Sequence, residues 1–435
     1  MIKVAIIGSG IGGMASALWL SKKDYEITLF DKFNPLEFNT STGLSFNYTI
    51  NLRGKYSLKK LDLWEDVQHK SIRLAGRIIH SRSLDIYQKY GPSSRSSLYS
   101  IPRHKLIKIF FDKITTLSNI NFKFNKEITN ISYNNDSCYI SYRDRISKII
   151  HIQEFDFIIA SDGVNSQVRS IFADRLQWSL EVFPWAYKEF KLNSNEVKKR
   201  KLNLSSLHIW SSKESLCVGI PNQDKSISLL YCASNNKSFS LKAKKCIKAL
   251  FGEVKTLSDF DEEKRLGKFV AVKLNKWFIE NKIIFLGDSA HGIFPFYGQG
   301  MNAALEDSKC LAEMLESFPT SREKAFKQYF EIRKSQTDIL FKLSNKHFYI
   351  LKNKGKTILY NTKYKLDIFL HNIFPKFWFH EYTMMSNSLA DIKKISKRLS
   401  TQRLYILFPL YWVIFLWVSF IEITDRIKRN FAKKI

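Results

Sequence analysis

Gly287-Asp-Ser-Ala-His-Gly-Ile-Phe-Pro-Phe-Tyr-Gly-Gln-Gly-Met-Asn-Ala-Ala-Leu-Glu-Asp-Ser308 is the stretch on which the fold turns. An apolar strand, Ile283 to Leu286, runs into it, so Asp288 sits where that strand ends. Glycines 298 and 300 then open a helix expected from about Met301 to Leu315. A carboxylate at a strand end accepts hydrogen bonds from sugar hydroxyls. A helix N-terminus offers free N–H groups and a partial positive charge to an oxygen or anion. Together they suit a ligand with a polyol chain and an electron-rich ring.

Two more strand ends carry the same kind of signal. Lys3 to Ile7 is a short apolar strand followed by Gly8-Ser-Gly10-Ile-Gly-Gly13 and a helical stretch, Met14 to Leu20. A second strand, Glu26 to Phe30, ends at Asp31, 18 residues past Gly13. This is the βαβ start of a dinucleotide site. Its first glycine permits the turn, its second admits a pyrophosphate, and its third lets helix and strand pack closely. Asp31 is placed for a ribose. Farther on, the apolar run Phe155 to Ala160 ends in Ser161-Asp-Gly163-Val-Asn-Ser166-Gln-Val-Arg169.

Between and beyond these motifs the pattern alternates. Gly76 to Ser81 reads as strand, Lys105 to Leu117 as helix, and Cys138 to Tyr142 with Lys148 to Gln153 as a hairpin. Leu207 to Trp210, Leu216 to Ile220 and Ile227 to Cys232 read as successive antiparallel strands of a second sheet. From Lys309 the pattern is helical to about residue 400, with a break near Pro375.

Composition narrows the class. A chain of 435 residues with 45% hydrophobic content is long enough for two linked domains and a large core. The net charge, 69 − 40 = +29, is spread along the chain with no nucleic-acid module, so nucleic acid is not expected as a partner and an anionic membrane surface fits better. The five cysteines are odd in number and lack C-x-x-C spacing, so neither a disulfide framework nor a metal site is expected, and the compartment should be reducing. Met1 leads straight into the first strand, so no cleavable signal is expected. Leu404 to Ile421 has 18 uncharged residues flanked on both sides by lysine and arginine. As a helix it would span about 27 Å at 1.5 Å per residue, near the hydrocarbon thickness of a bilayer. It is expected to anchor the chain to a membrane, with the remaining domains facing a reducing, cytoplasmic compartment.

The three motifs, in this order and each at a strand end, resemble those of the class A flavin-dependent aromatic hydroxylases. The likeness runs from residue 1 to about 330. Gly76-Arg-Ile-Ile-His-Ser81, Tyr90-Gly91, Leu207-His-Ile-Trp210 and Phe294-Pro-Phe-Tyr-Gly-Gln-Gly-Met-Asn302 make it most similar to the kynurenine 3-monooxygenases within that family. The resemblance implies an α/β (α+β) fold like that of para-hydroxybenzoate hydroxylase. A discontinuous FAD-binding Rossmann domain (1–70, 101–174, 276–330) would carry an inserted antiparallel-sheet substrate domain (71–100, 175–275). A helical region (331–400) and the apolar tail helix (404–421) would follow.

The resemblance also implies roles. Gly8, Gly10 and Gly13 would hold the FAD pyrophosphate, and Asp31, with Lys32 beside it, the adenosine ribose. Arg103, Thr49 and Ile128 fall at FAD-contact positions. Asp162 and Gly163 belong to a motif linked to FAD and NADPH. Asp288 would meet the ribityl or pyrophosphate region. Pro295, Gly298, Gly300, Met301 and Asn302 would surround the isoalloxazine. Arg77 and Tyr90 match the pair that holds a substrate carboxylate, as a guanidinium fork and a phenol can. His347, Ile350, Leu351 and Ile392 fall where the family carries Asn, Glu, Met and Tyr, so the substrate rim departs from the family and His347 becomes a candidate carboxylate partner. His291 reads as structural.

The expected activity is hydroxylation of an aromatic ring by NADPH and O2 through a flavin C4a-hydroperoxide. The substrate would be L-kynurenine or a related aromatic acid. The flavin carries the chemistry, so no protein nucleophile is expected. Two other readings stay open: a membrane flavoprotein acting on a quinone or isoprenoid, which would not need Arg77, and a non-enzymatic FAD-binding redox sensor.

Overall fold

The computed structural model describes residues 1–37, 47–81, 85–93, 96–212, 214–234, 239–252, 266–354, 357–402, 412–413, 415–421 and 423–424. Its central sheet has the strand order Phe278–Ile279, Ile283–Phe285, Phe157–Ala160, Ile2–Ile7, Tyr25–Phe30, Ile120–Lys123. All neighbours are parallel except the first pair. The central strands are buried over most of their length, as a parallel sheet covered on both faces requires. Helices Ile11–Leu20, Arg103–Ile114 and Gly300–Ser317 supply much of that cover.

The register aligns the strand ends. Ile7 pairs with Phe30 on one side and Ala160 on the other, and Ala160 pairs with Phe285. Gly8, Asp31, Ser161 and the Gly287-Asp288 turn therefore emerge at one edge, the carboxyl end where ligands bind in open α/β sheets.

The second sheet has seven strands, in the order Gly267–Leu274, Trp178–Leu192, Ile227–Ser234, Ser215–Pro221, Ser206–Ser211, Gly76–His80, Ile86–Lys89. It is antiparallel except where Ser206–Ser211 runs parallel to Gly76–His80. That junction joins a segment near residue 80 to one near residue 210, with Leu207 beside Arg77. The 15-residue strand Trp178–Leu192 was not foreseen. Pro184 falls inside it, at an irregularity between Val182 and Ala186 where no ladder bond is demanded of it.

Helix Arg322–Tyr349, a π-helical turn Ile350–Lys354, and helices Ile358–Ile373, Glu381–Asn387 and Ile392–Gln402 close one side of this sheet. The helical pattern breaks after Ile373, just before Pro375, as a proline demands. Half of the tail helix expected over 404–421 lies outside the described residues. Of it, 412–413 and 415–421 are helical. Among the described residues no helix is long and apolar enough to cross a membrane.

Candidate active site

A cavity of about 560 Å³ opens at the aligned strand ends. Gly8, Gly10, Asp31, Lys32, Arg103, Ile128, Asp162, Gly163 and Asp288 all line it. The three glycines of the first turn differ in what they permit. A Cβ on Gly8 would lie 2.5 Å from Ser161 O, and φ there is +103°. A Cβ on Gly13 would lie 1.9 Å from Gly8 O, so this glycine lets helix and strand touch and lines no cavity. A Cβ on Gly10 would meet nothing within 4 Å. It would enter the cavity, the space a pyrophosphate needs.

The acids at the strand ends have distinct settings. Asp31 Oδ2 accepts from Ser9 N (2.8 Å) and Ser9 Oγ (2.7 Å), which fixes the glycine turn. Asp162 takes Val168 N–H on Oδ2 at 3.1 Å, while its Oδ1 is buried without a protein partner. Burial raises its carboxyl pKa. Asp288 is exposed along the cavity wall, and desolvation by the surrounding protein raises its carboxyl pKa, opposed by His291 and Arg103. A glycine-floored cavity with an orphaned acceptor, a strand-end acid and a guanidinium fits a ligand with phosphates and ribose hydroxyls.

The 287–302 loop is pinned from below. Asn302 Nδ2 donates to Thr49 O (2.9 Å) and Gly298 O (3.0 Å), and its Oδ1 accepts from Asn51 N (3.1 Å). Its side chain thus ties the loop to the strand Asn47–Ile50, leaving its backbone N–H as the group available to a ligand. Gly298 holds φ +67°, and a Cβ there would strike Thr49 Oγ1 at 2.6 Å. Gly300 and Met301 begin the helix and line neither this cavity nor those described next. His291 donates to or shares a proton with Asp307 at 2.5 Å and stacks on Trp277, both buried, in keeping with a structural role. Asp307 also accepts from Arg333 Nε at 2.7 Å.

A second chamber, about 80 Å³, lies against one face of the seven-stranded sheet. The alternation of the strands puts Leu207, Ile209, Leu216, Val218, Ile220 and Leu230 on that face beside Arg77. Thr49, Pro295 and Gly298 form the opposite wall, with Tyr90, Tyr297, His347 and Tyr382 around the end. Beyond Arg77 an outer cavity of about 400 Å³ continues between the C-terminal helices.

Arg77 is 4% exposed. Its Nε donates to Gln88 Oε1 at 2.8 Å and its Nη1 meets His347 Nε2 at 2.7 Å. Because a guanidinium only donates, His347 Nε2 must accept, and the ring proton sits on Nδ1. Burial, then Arg77 and Lys346, drives the His347 pKa well below its ordinary value, so the ring is neutral. The rings of Tyr364 and Tyr382 lie 5.8 Å from the guanidinium carbon. Among the described residues no carboxylate pairs with Arg77. Tyr90 is stacked on Tyr382 with centroids 5.2 Å apart.

Ile350 lines the outer cavity and Leu351 the inner chamber, but Ile392 does not reach either. It is fully buried in an apolar cluster with Leu340 and Met385. Tyr382, ten positions earlier, stands in the rim instead. Gln88, Tyr297, Tyr360, Tyr364 and Tyr382 were not anticipated as site residues. The i, i+4 spacing of Tyr360 and Tyr364 places them on one helix face and is a usable signal.

Residues 1–338 match a family model described as an FAD binding domain. Similar curated proteins include a kynurenine 3-monooxygenase from Salinispora arenicola, 27% identical over 404 residues (89% of this chain, 88% of that one). One from Dictyostelium discoideum is 29% identical over 411 residues (88% of each). Among solved structures, p-nitrophenol 4-monooxygenase from Pseudomonas putida superposes with TM-score 0.69 at 13% identity, covering 93% of this chain and 99% of that one. A 2-methyl-3-hydroxypyridine-5-carboxylic acid oxygenase gives 0.67 at 16% identity, covering 82% and 94%. These two share the fold.

Proposed function

The chain belongs to the FAD binding domain family, and on that premise we propose that it hydroxylates an aromatic carboxylic acid of the kynurenine class, using NADPH and O2. The observation that carries this reading is Arg77, a buried guanidinium with neutral partners at the end of an apolar chamber. A buried charge is costly unless paired. A substrate carboxylate supplies the missing partner.

Bound FAD supplies the redox and oxygen-transfer chemistry. The chain holds and orients. Gly8, Gly10 and Arg103 would take the pyrophosphate, Asp31 and Lys32 the adenosine ribose, and Asp288 the ribityl chain. Thr49, Ile128, Asp162, Gly163, Pro295 and Gly298 would complete the contacts. The N–H groups of Gly300, Met301 and Asn302, at a helix start, would stabilise negative charge on the ring. Arg77 and Tyr90 would fix the substrate's carboxylate, so the aliphatic wall presses the aromatic ring toward Pro295 and excludes water. Incubation of the FAD-loaded protein with NADPH, heavy-isotope O2 and L-kynurenine tests this. One labelled oxygen in the product ring supports it. Reduced oxygen without labelled product across a set of aromatic acids sinks it, and favours a quinone substrate or a sensing role.

The chain is also proposed to lie on a membrane surface. Trp412, Val413, Leu416, Trp417 and Phe420 are exposed on the tail, whose Phe415 packs against Leu366. Phe369, Ile373, Phe374 and Phe377 are exposed nearby in sequence to Leu366 and Leu370 of the same cluster. Flotation with anionic vesicles tests it: truncation before Leu404 should release the protein, and unchanged flotation rules the tail out. The catalytic domains would face a reducing compartment, where the five cysteines, all free, remain thiols.

A further inference from the structure

Helix Ile392–Gln402 carries Lys393, Lys394, Lys397 and Arg398 and no acid. Ile392, Ile395, Leu399 and Gln402 are buried, and Lys393, Lys394 and Lys397 stand exposed on the opposite face. Lys393 with Lys397, and Lys394 with Arg398, are like charges four residues apart, a spacing at which they destabilise a helix. At that spacing other helix lysines form ion pairs, as in Lys108–Asp112, Lys309–Glu313, Lys334–Asp338 and Lys363–Asp367. Among the described residues none of the three exposed lysines pairs with a carboxylate. Asp391, just before the helix, is spent on Lys394 N (2.9 Å) and Gln336 Nε2 (3.1 Å).

The same helix locks an exposed aromatic turn. Phe374, Pro375, Lys376 and Phe377 all face solvent, with Phe374 51% and Phe377 67% exposed. The turn is nonetheless fixed. Phe377 O accepts from Arg398 Nη2 at 2.7 Å, and Gln402 bonds both backbone groups of Phe379, at 2.6 Å and 3.0 Å. On the other side Trp378 packs against the cluster of Leu366 and Phe415, which Val418 of the tail joins. Basic helix face, aromatic turn and tail are therefore contiguous. Rigidly held phenylalanines beside unpaired cations suit a partner that is apolar beneath an anionic layer.

We propose that the lysine face of Ile392–Gln402 and the turn Phe374–Phe377 form a docking surface for a bilayer of anionic lipid, with headgroups meeting the lysines and the phenylalanines entering the interface. This rests on the membrane reading above and adds a lipid class to it. The tail supplies attachment, and this surface supplies the preference for anionic over zwitterionic lipid.

The test titrates the FAD-loaded full chain with phosphatidylcholine vesicles and with vesicles that also contain phosphatidylserine. The parent should bind the anionic vesicles more tightly. Each lysine near such a surface is worth about fivefold in affinity. Lys393→Gln, Lys394→Gln and Lys397→Gln together should therefore cost about 100-fold on anionic vesicles, at unchanged FAD content and with phosphatidylcholine binding unchanged. The same change at Lys198, Lys199 and Lys201, on another exposed surface, should leave affinity near the parent's. An equal loss from that control set, or a loss below about tenfold from the first, overturns the proposal. Equal binding of the parent to both vesicle types also overturns it, in favour of an acidic protein as the occupant, and leaves the tail reading standing. If neither vesicle type binds, both readings fall. Phe374→Ser with Phe377→Ser should weaken anionic-vesicle binding by about tenfold, and unchanged affinity removes the turn from the surface.

Discussion

Gly10→Ala separates the cofactor's needs from the fold's. At this position φ is −69° and ψ 176°, which alanine adopts freely, and the new methyl would meet no protein atom within 4 Å. Reduced freedom of the unfolded chain favours the variant by about 0.4–1 kcal/mol. Gly10 is also the N-cap of helix Ile11–Leu20, where alanine is disfavoured by a similar amount. The two nearly cancel, so the apo protein should unfold within about 1 kcal/mol of the parent. The methyl stands in the cavity, however, and holds a phosphate away from the helix start. Losing one charge-assisted hydrogen bond costs about 1.5–3 kcal/mol, about 10- to 150-fold in FAD affinity. Gly13→Ala is the contrast: its methyl would sit 1.9 Å from Gly8 O, so the fold itself must give. Urea unfolding of apo protein and fluorescence titration with FAD check both. Parent-like FAD affinity in Gly10→Ala would falsify the placement of the pyrophosphate. A collapse of its apo stability would contradict the geometry of the turn.

Other outcomes follow from the same contacts. Arg77→Lys keeps the charge but loses the fork held by Gln88 and His347; substrate affinity should fall by about 10- to 100-fold while FAD affinity holds. Equal substrate affinity would show that the carboxylate binds elsewhere. Asp307 accepts from His291, Arg333 and Gly287 N, and Asp307→Asn should cost about 3–5 kcal/mol in urea unfolding, since Arg333 is 3% exposed and would be left short of charge. Burial alone would raise the Asp307 pKa, but His291 and Arg333 outweigh it and lower it. Its stabilisation is therefore present above the unfolded value near 3.9 and lost as pH falls through the folded one, a component that Asp307→Asn should abolish. His347, His208 (about 4) and His380 (about 3) are pushed down mainly by burial. Unfolding exposes each to protonation below about 6.5, so stability should drop by about 1.4 kcal/mol per pH unit for each as pH falls below that value. His380→Gln should shrink the slope by one such share, and an unchanged slope would contradict its neutral burial.

What could be read in advance was whatever depended on local geometry. A glycine turn between a strand and a helix, and an acid within three residues of a strand's end, carry their meaning in a few consecutive residues. Gly8, Asp31, Asp162 and Asp288 accordingly converge on one cavity. The apolar wall was legible too, because strand alternation puts Leu207, Ile209, Leu216 and Val218 on one face. The rim was not. It is built by helices more than 250 residues from Arg77 whose mutual packing leaves no periodic mark, so Tyr382 was missed and Ile392 was put in its place. The partnership of Arg77 with His347 likewise needs the helix Arg322–Tyr349 laid against the sheet. Asn302 was placed at the flavin, but its side chain turned out to be fully engaged with Thr49, Gly298 and Asn51.

The central claim is that a carboxylate held at Arg77 prepares the flavin for turnover. Stopped-flow reduction of the FAD-loaded protein by NADPH, with and without an aromatic acid of the kynurenine class, measures it most directly. The account predicts that the acid accelerates flavin bleaching and that Arg77→Lys removes most of the acceleration at equal FAD content. Reduction at the same rate with and without every aromatic acid offered, or an acceleration unchanged in Arg77→Lys, would contradict it.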